Sequence, residues 1–216
     1  MGRLRVGVLA SGRGSNLQAI IDSSLAGMID VEVAVVVSDV ADAQALERAR
    51  SAGIPAVHVP PGRFRTKLTP EAEQRYTEVL EEHRVDVVAL AGFMRILHDD
   101  FLERYSGRVV NVHPALLPSF PGLHGQKQAL DYGVKWSGAT VHFVDAGVDT
   151  GPIILQAAVP VMDDDSEETL AARILEQEHR IYAEALHLIA EGRLKVDGRV
   201  VRTSEGAAGA TGGDDA

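Results

Sequence analysis

Two polar residues, Asn111 and His113, stand at alternate positions of a β-branched run, VVNVH, that has the pattern of a buried strand. Side chains alternate across a strand, so this pair points to one side while Val110 and Val112 point to the other. Pro114 ends the strand directly after the pair, which places the pair at the carboxyl edge of the predicted sheet, where open α/β folds bind ligands. A hydrogen-bonded core histidine and asparagine would give the same pattern, and for these two residues alone that structural interpretation is favoured.

A carboxylate, Asp149, falls in the segment DAGVDTGP between two further predicted strands. An ordinary Asx turn explains an aspartate in such a segment. Beside a buried histidine, however, a carboxylate favours the imidazolium form and orients the ring, which makes a proton donor near neutral pH. Both interpretations stay open on the residues alone.

A glycine-containing segment, SGRGSN, separates the first predicted strand from a helical pattern. It lacks the lysine of a Walker loop, and Leu17 stands where a dinucleotide fingerprint has its third glycine. A tight strand-to-helix turn explains the glycines equally well, yet Ser15 or Asn16 at the start of a helix suits a single phosphate monoester. The segment therefore favours a mononucleotide over NAD.

Other candidate residues carry weaker signals. The run from Met94 to Leu97 is apolar apart from Arg95, and either packing at a helix start or the wall of a ligand pocket explains it. No metal is predicted, because the remaining histidines considered as ligands lack zinc-like spacing; they are His58, His83, His98, His124, His179 and His187.

The elements that must position these residues alternate between strands and helices. Nearly continuous apolar strands are typical of a parallel sheet covered on both faces. The segment PALLPSFPGLHG is too rich in Pro and Gly for regular structure and is a functional candidate as a long loop. Strands are predicted over 4–10, 31–37, 55–59, 86–91, 108–113, 139–144 and 153–161, helices over 42–52, 70–83 and 99–105, a long helix capped by Asp165 or Ser166, and a basic hairpin over 194–202.

Composition limits the classes of protein and partner. With 45% hydrophobic and 24% charged residues, the 216-residue chain has a globular profile, and one domain is predicted over 1–202 with a flexible acidic tail over 203–216. A net charge of −10 with scattered Lys and Arg argues for small-molecule substrates and against a nucleic-acid partner. The sequence has no cysteine and no apolar run of about 18 residues, so neither disulfides nor a membrane partner are predicted and a soluble cytoplasmic protein is the expectation. A homodimer is compatible with the sequence.

Four segments, taken in order, resemble the phosphoribosylglycinamide formyltransferase family: SGRGSNLQAI, AGFMRIL, NVHPALLPSFPGLHG and DTGPIILQ. The resemblance extends from about Arg5 to Leu194. It implies a doubly wound, mostly parallel sheet with helices on both faces. It also implies transfer of the formyl group of 10-formyltetrahydrofolate, a co-substrate, to the amine of glycinamide ribonucleotide in purine synthesis.

The resemblance also implies roles for individual residues. The catalytic residues would be Asn111, His113 and Asp149. Glycinamide ribonucleotide would be bound by Gly14, Ser15 and Asn16 at its phosphate and by Glu178 at its ribose hydroxyls. The folate would be bound by Met94, Arg95, Ile96, Leu97, Asn111, Asp145, Ala146, Gly147, Val148 and Asp149.

One position departs from the family pattern. The family usually has an arginine before the helix that precedes AGFMRIL, where it meets the glutamate tail of the folate, whereas ungapped counting reaches Thr69 here. Arg65 or Lys67 would replace it after a shift of the loop, and the sequence does not decide between them.

Several rival functions follow from the same residues. A formyltetrahydrofolate hydrolase has the same trio but usually carries an amino-terminal regulatory domain, whereas this sequence opens on its first strand. A methionyl-tRNA formyltransferase adds a carboxyl-terminal tRNA-binding domain, and the tail here is short and acidic. From other classes, a catalytically silent nucleotide-binding module is disfavoured by the three polar residues, and a dehydrogenase by the incomplete dinucleotide fingerprint.

Overall fold

A single nine-stranded sheet forms the centre of the molecule, with the strand order β3-β2-β1-β4-β5-β6-β7-β9-β8. The computed structural model describes residues 2–204, so most of the predicted acidic tail lies outside the described residues. The strands are β1 (Leu4–Leu9), β2 (Val31–Ser38), β3 (Ala56–His58), β4 (Val87–Leu90), β5 (Val109–His113), β6 (Trp136–Phe143), β7 (Ile153–Pro160), β8 (Leu194–Asp197) and β9 (Val200–Thr203).

Helices connect the strands and cover both faces of the sheet. None of the helices within residues 2–204 is long and apolar enough to cross a membrane. The helices are α1 (Ser15–Leu25), α2 (Gln44–Ser51), α3 (Pro70–Glu82), α4 (Asp99–Arg104), α5 (Gly125–Tyr132) and α6 (Glu167–Ala190).

The sheet is doubly wound, as the sequence predicts. From β1 the chain proceeds outward through β2 and β3, then returns to place β4 and β5 on the other side of β1, with every pair among these strands parallel. The later strands depart from this pattern, because β6 is antiparallel to both β5 and β7. The loop between β6 and β7 therefore starts beside Val109, at the amino-terminal end of β5, and it folds back far enough for Asp149 to reach His113.

Two apolar layers hold the helices on the sheet. One contains Val110, Val112 and the buried stripe of α6, and the other contains Val109 with residues of α3 and α4. The predicted stripe of α6 is confirmed, since Leu170, Ile174, Ile181 and Leu188 are all buried. Asn111 and His113 follow Val109 on the alternate positions of β5, so the predicted separation of polar and apolar side chains on this strand is confirmed.

The main element that sequence reasoning missed is α5. It starts directly after the Pro- and Gly-rich segment and buries only Gly125 and Ala129, too few residues for a clear helical period. Smaller differences concern element ends: β6 begins at Trp136 rather than near 139, and β9 extends one residue past the predicted hairpin end at 202. Of the two predicted caps of α6, Ser166 is the one observed, and its side chain accepts a hydrogen bond from the Thr169 amide.

Candidate active site

The carboxyl end of β5 carries two of the predicted site residues. His113 is buried, with 4% of its surface exposed, and Asn111 is partly buried. The neighbouring strand β6 runs antiparallel and places His142 directly opposite Asn111 and Thr140 opposite His113. Cross-strand neighbours on one face approach to about 5 Å, so β5 and β6 together form a polar floor at this point.

The loop between β6 and β7 brings a carboxylate to this floor. Asp149 Oδ2 lies 3.3 Å from His113 Nδ1 and accepts a 2.7 Å hydrogen bond from the Gly122 amide. Asp149 Oδ1 lies 3.5 Å from Asn111 Nδ2 and 3.6 Å from His142 Nε2. The structure therefore brings together the three residues that the sequence singled out, although they come from two separate segments of the chain.

Both ring nitrogens of His113 face acceptor atoms. Its Nδ1 faces the Asp149 carboxylate, and its Nε2 lies 2.8 Å from the carbonyl oxygen of Phe120. Both partners are acceptors only, so an imidazolium with N–H groups on both nitrogens satisfies both contacts, whereas a neutral ring satisfies one. The site therefore offers an acceptor to each ring nitrogen of His113.

His142 is a polar residue of the site that sequence reasoning missed. It is 2% exposed, and its Nδ1 lies 2.8 Å from the carbonyl oxygen of Phe143. A carbonyl is an acceptor, so Nδ1 carries a proton, and Nε2 lies 3.2 Å from Asn111 Nδ2 and 3.6 Å from Asp149 Oδ1. The available signal was its alternation with Thr140 on an apolar strand, but its position opposite Asn111 depends on strand register, which the sequence does not specify.

Opposing effects act on the ionisation of Asp149. Burial by itself raises the pKa of this carboxyl, whereas the contact with His142, the Gly122 N–H and the positive charge of His113 lower it. The lowering prevails, and the pKa of the Asp149 carboxyl lies below its ordinary value. Asp149 is therefore an anion at neutral pH.

The glycine-containing segment forms the start of α1. Gly14 is the N-cap in the left-handed region, with φ 70°, and the helix begins at Ser15 as the sequence predicts. Asn16 Nδ2 donates a 2.7 Å hydrogen bond to Glu178 Oε2, so the predicted phosphate and ribose residues lie in direct contact. Glu178 is 7% exposed, and burial raises the pKa of its carboxyl against the smaller effect of the Asn16 bond. The amide N–H groups at a helix start favour an anion such as a phosphate monoester.

The segment from Met94 to Leu97 combines exposed and anchored residues. Met94 is 58% exposed and Ile96 53% exposed, whereas Leu97 is buried, so the apolar side chains of the first two are available to line a pocket. The side chain of Arg95 is engaged elsewhere, because its Nε donates to Asp39 Oδ2 at 2.6 Å and its guanidinium also reaches the carbonyl of Arg65. Arg95 can therefore contribute only backbone to a folate site unless this ion pair opens.

Thr69 has a structural role. It is the N-cap of α3, and its hydroxyl accepts a hydrogen bond from the Ala72 amide at 3.3 Å. The preceding basic loop is joined to the Met94–Leu97 segment by a bridge between Lys67 and Ile96 and by a hydrogen bond from Ile96 N to Thr66 O. The Lys67 ammonium lies 5.1 Å from the centre of the Phe64 ring.

Within residues 2–204, no group of three or more His, Cys, Asp or Glu side chains is arranged to hold a metal ion. The described site offers hydrogen-bond donors and a His113–Asp149 pair that can exchange a proton.

A doubly wound sheet with an Asn, His and Asp cluster at the end of β5 and a glycine-capped helix after β1 defines a class of enzyme. The Formyl transferase family model matches residues 4–186, and this chain belongs to that family.

Individual proteins similar to this chain are named more specifically than the family. Phosphoribosylglycinamide formyltransferase of Escherichia coli is 46% identical over 193 residues, which are 89% of this chain and 90% of that protein. The trifunctional purine biosynthetic protein adenosine-3 of Drosophila melanogaster is 49% identical over 192 residues, which are 88% of this chain but only 14% of that protein. The crystal structure of glycinamide ribonucleotide transformylase 1 from Symbiobacterium toebii superposes with a TM-score of 0.90 and 53% identity, covering 94% of this chain and 95% of that one.

Proposed function

We propose that this protein transfers the formyl group of 10-formyltetrahydrofolate to the amine of glycinamide ribonucleotide, a step of purine synthesis. The observation that carries the proposal is the contact of the Asp149 carboxylate with both His113 and Asn111 at the end of β5. This arrangement places a charged proton donor and an amide donor side by side. Formyl transfer to an amine needs both.

The reaction exchanges one C–N bond for another. The amine nitrogen of glycinamide ribonucleotide attacks the formyl carbon, the bond from that carbon to N10 of the folate breaks, and one proton passes in net from the amine to N10. The intermediate is tetrahedral, and its oxygen gains negative charge that pre-oriented donors stabilise. We assign this role to the Asn111 amide and the His113 imidazolium. Asn111 Nδ2 now contacts both His142 and Asp149, and the N–H in the longer contact, 3.5 Å to Asp149 Oδ1, would turn to the oxyanion.

His113 and Asp149 handle the protons in this proposal. The ionised Asp149 stabilises the imidazolium, which protonates the departing N10, and the pair then accepts the proton lost by the amine. The His113 Nε2 contact with the Phe120 carbonyl fixes the ring plane while Nδ1 stays on Asp149. When the folate is bound, one His113 nitrogen would leave its present acceptor, which is the Asp149 carboxylate for Nδ1 and the Phe120 carbonyl for Nε2. That nitrogen would then deliver its proton to N10.

The two substrates would occupy opposite sides of this cluster. We place the phosphate of glycinamide ribonucleotide at Gly14, Ser15 and Asn16, where helix N–H groups are available, and its ribose hydroxyls at Glu178. The folate ring would lie between the Met94–Leu97 segment and the loop from Asp145 to Asp149. Exposed apolar side chains on both segments, Met94, Ile96 and Val148, suit a flat aromatic ring.

An absorbance assay of folate deformylation, run with and without glycinamide ribonucleotide, tests the function. Turnover that requires glycinamide ribonucleotide is the expected result. Turnover with water alone would establish the hydrolase instead, and no turnover under either condition would establish a silent nucleotide-binding module. Cytoplasmic localisation and a homodimer stay predictions from the sequence.

A further inference from the structure

We infer that Arg199, in the turn of the β8–β9 hairpin, is a positioning residue that holds the Asp149 loop in its catalytic geometry. The inference rests on the proposed function. Its structural basis is a 2.8 Å hydrogen bond from Arg199 Nη1 to the carbonyl oxygen of Thr150, the residue directly after Asp149. The hairpin lies late in the chain and contributes no side chain to the polar cluster itself.

The backbone at Asp149 needs such support. Asp149 has φ 54°, in the left-handed region where an L residue other than glycine is disfavoured by roughly 1 kcal/mol or more. A residue keeps this conformation only where its surroundings determine it. Relaxation of φ would swing the carboxylate away from His113 and Asn111, since both contacts are near the limit of hydrogen-bond length.

The inner part of the loop is fixed by the loop itself. Asp145 Oδ1 accepts hydrogen bonds from the Gly147 amide at 3.1 Å and from the Thr150 hydroxyl at 2.6 Å. At the far end, Gly151 is packed so closely that a Cβ there would overlap the carbonyl oxygen of Phe143. The peptide between Thr150 and Gly151 joins these two held residues, and its carbonyl oxygen accepts the hydrogen bond from Arg199, which comes from outside the loop.

The hairpin is anchored well enough to act as a brace. Val200, next to Arg199, pairs with Ile153 at the start of β7. The open end of the hairpin is closed by a hydrogen bond from Ser204 N to Arg193 O at 2.9 Å and one from Arg193 Nε to Ser204 O at 3.0 Å. Partly buried Leu194 and Val201 pack against the main apolar layer. Arg199 therefore extends from a fixed base to the catalytic loop.

The contact acts on position rather than on charge. Arg199 binds a backbone carbonyl, and the side chains that meet the Asp149 carboxylate are the imidazole rings of His113 and His142. Loss of the contact should therefore lower the rate of formyl transfer and leave binding at the phosphate loop of α1 unchanged. A hydrogen bond from a charged donor corresponds to about a tenfold effect.

Arg199→Ala tests the inference, with Arg202→Ala as the matched control. Arg202 is exposed on the adjoining strand β9, loses the same charge, and has no hydrogen bond to the loop within the described residues. We expect kcat to fall about tenfold in Arg199→Ala, with the KM for glycinamide ribonucleotide changed less than about twofold, and to recover partly in Arg199→Lys. Equal kcat values for the two alanine variants would overturn the inference.

Amide hydrogen exchange of the loop from Asp145 to Gly151 gives a second measurement that needs no activity. Arg199→Ala should exchange faster in this segment than the wild type and Arg202→Ala, with an unchanged melting temperature. Identical exchange in all three proteins would also overturn the inference. A wild type without formyl transfer would refute the proposed function, while the exchange experiment would still test the brace.

Discussion

Two acids in the site, partly buried Asp149 and buried Glu178, show how local partners decide ionisation. The Asp149 carboxylate meets an amide N–H and two histidines, and the pKa of its carboxyl is lowered despite burial. Glu178 is more deeply buried and has one hydrogen-bond partner, Asn16, so burial prevails and raises the pKa of its carboxyl. The same residue chemistry therefore yields a stable anion in one place and a group that is costly to ionise in the other.

His113→Asn tests the proton donor at the residue scale. An asparagine keeps a hydrogen-bond donor of similar reach but cannot deliver a proton, so both substrates should still bind while kcat falls by about a hundredfold to a thousandfold. Steady-state kinetics measure the rate, and calorimetric titration measures the binding of glycinamide ribonucleotide. The exposed His58→Asn is the control. Normal turnover in His113→Asn would refute His113 as the acid.

Glu178→Gln should make the protein more stable at pH 7 and weaken its binding of glycinamide ribonucleotide. A folded-state pKa above the unfolded value means that the folded protein binds the proton more tightly, so stability is full below the reference pKa of 4.5 and is lost as pH rises through the folded pKa. The substitution removes this loss of stability at pH 7, and Asn16 Oδ1, which has no hydrogen-bond partner among residues 2–204, can accept from the new side-chain amide.

The measurement for Glu178→Gln is the melting temperature against pH. A rise over the wild type is expected at pH 7 and none well below pH 4.5, with weaker binding of glycinamide ribonucleotide. Glu176→Gln, on the same helix, should show neither change, because Glu176 lies outside the buried stripe that holds Glu178. A lower melting temperature for Glu178→Gln at pH 7 would contradict the argument.

At the scale of elements, the sequence predicts the strands and the long helices because each carries a strong apolar period. It predicts the pairing of Asn111 with His113 on one face of β5, since alternation is a local property of a strand. It does not predict α5, whose stability comes from packing on α6 rather than from its own pattern. It also does not place His142, because that position depends on the register between β5 and β6.

Gly14→Ala tests the turn that opens α1. The residue has φ 70°, and a Cβ there would lie 2.8 Å from the Cα of Ala45, so backbone strain and overlap act together. A loss of about 1–2 kcal/mol in the free energy of unfolding is expected, with weaker binding of glycinamide ribonucleotide because the helix N–H groups move.

Gly12→Ala is the matched control for Gly14→Ala in the same turn. A Cβ at Gly12 meets nothing within 4 Å, and its φ is not in the left-handed region. The melting temperature of Gly12→Ala and its affinity for glycinamide ribonucleotide should stay close to those of the wild type. If both variants behave alike, the positive φ of Gly14 is not what shapes the phosphate site.

At the scale of the molecule, the site depends on one change of strand direction. The parallel half, β1 to β5, provides the helix start at α1 and the end of β5, as the predicted fold class requires. The antiparallel return through β6 then brings Asp149 back to His113. The sequence indicates the alternation of elements, but the return and its register arise from tertiary packing, so the contact itself was a prediction from family resemblance.

The two apolar layers should unfold together, because both rest on the same sheet. Leu80 of α3 and Ile174 of α6 are fully buried on opposite faces. Truncation of either to alanine should cost about 2–5 kcal/mol and lower the melting temperature. Since neither layer has a sheet of its own, each variant should melt in one transition, with equal calorimetric and van't Hoff enthalpies.

Leu25→Ala, at a side chain 76% exposed, is the control and should change the free energy of unfolding by less than about 0.5 kcal/mol. Two resolved transitions in Leu80→Ala would mean that the layer of α3 and α4 unfolds independently. The site lies at the end of β5, a strand that both layers share. It would then lose its geometry before the rest of the molecule unfolds.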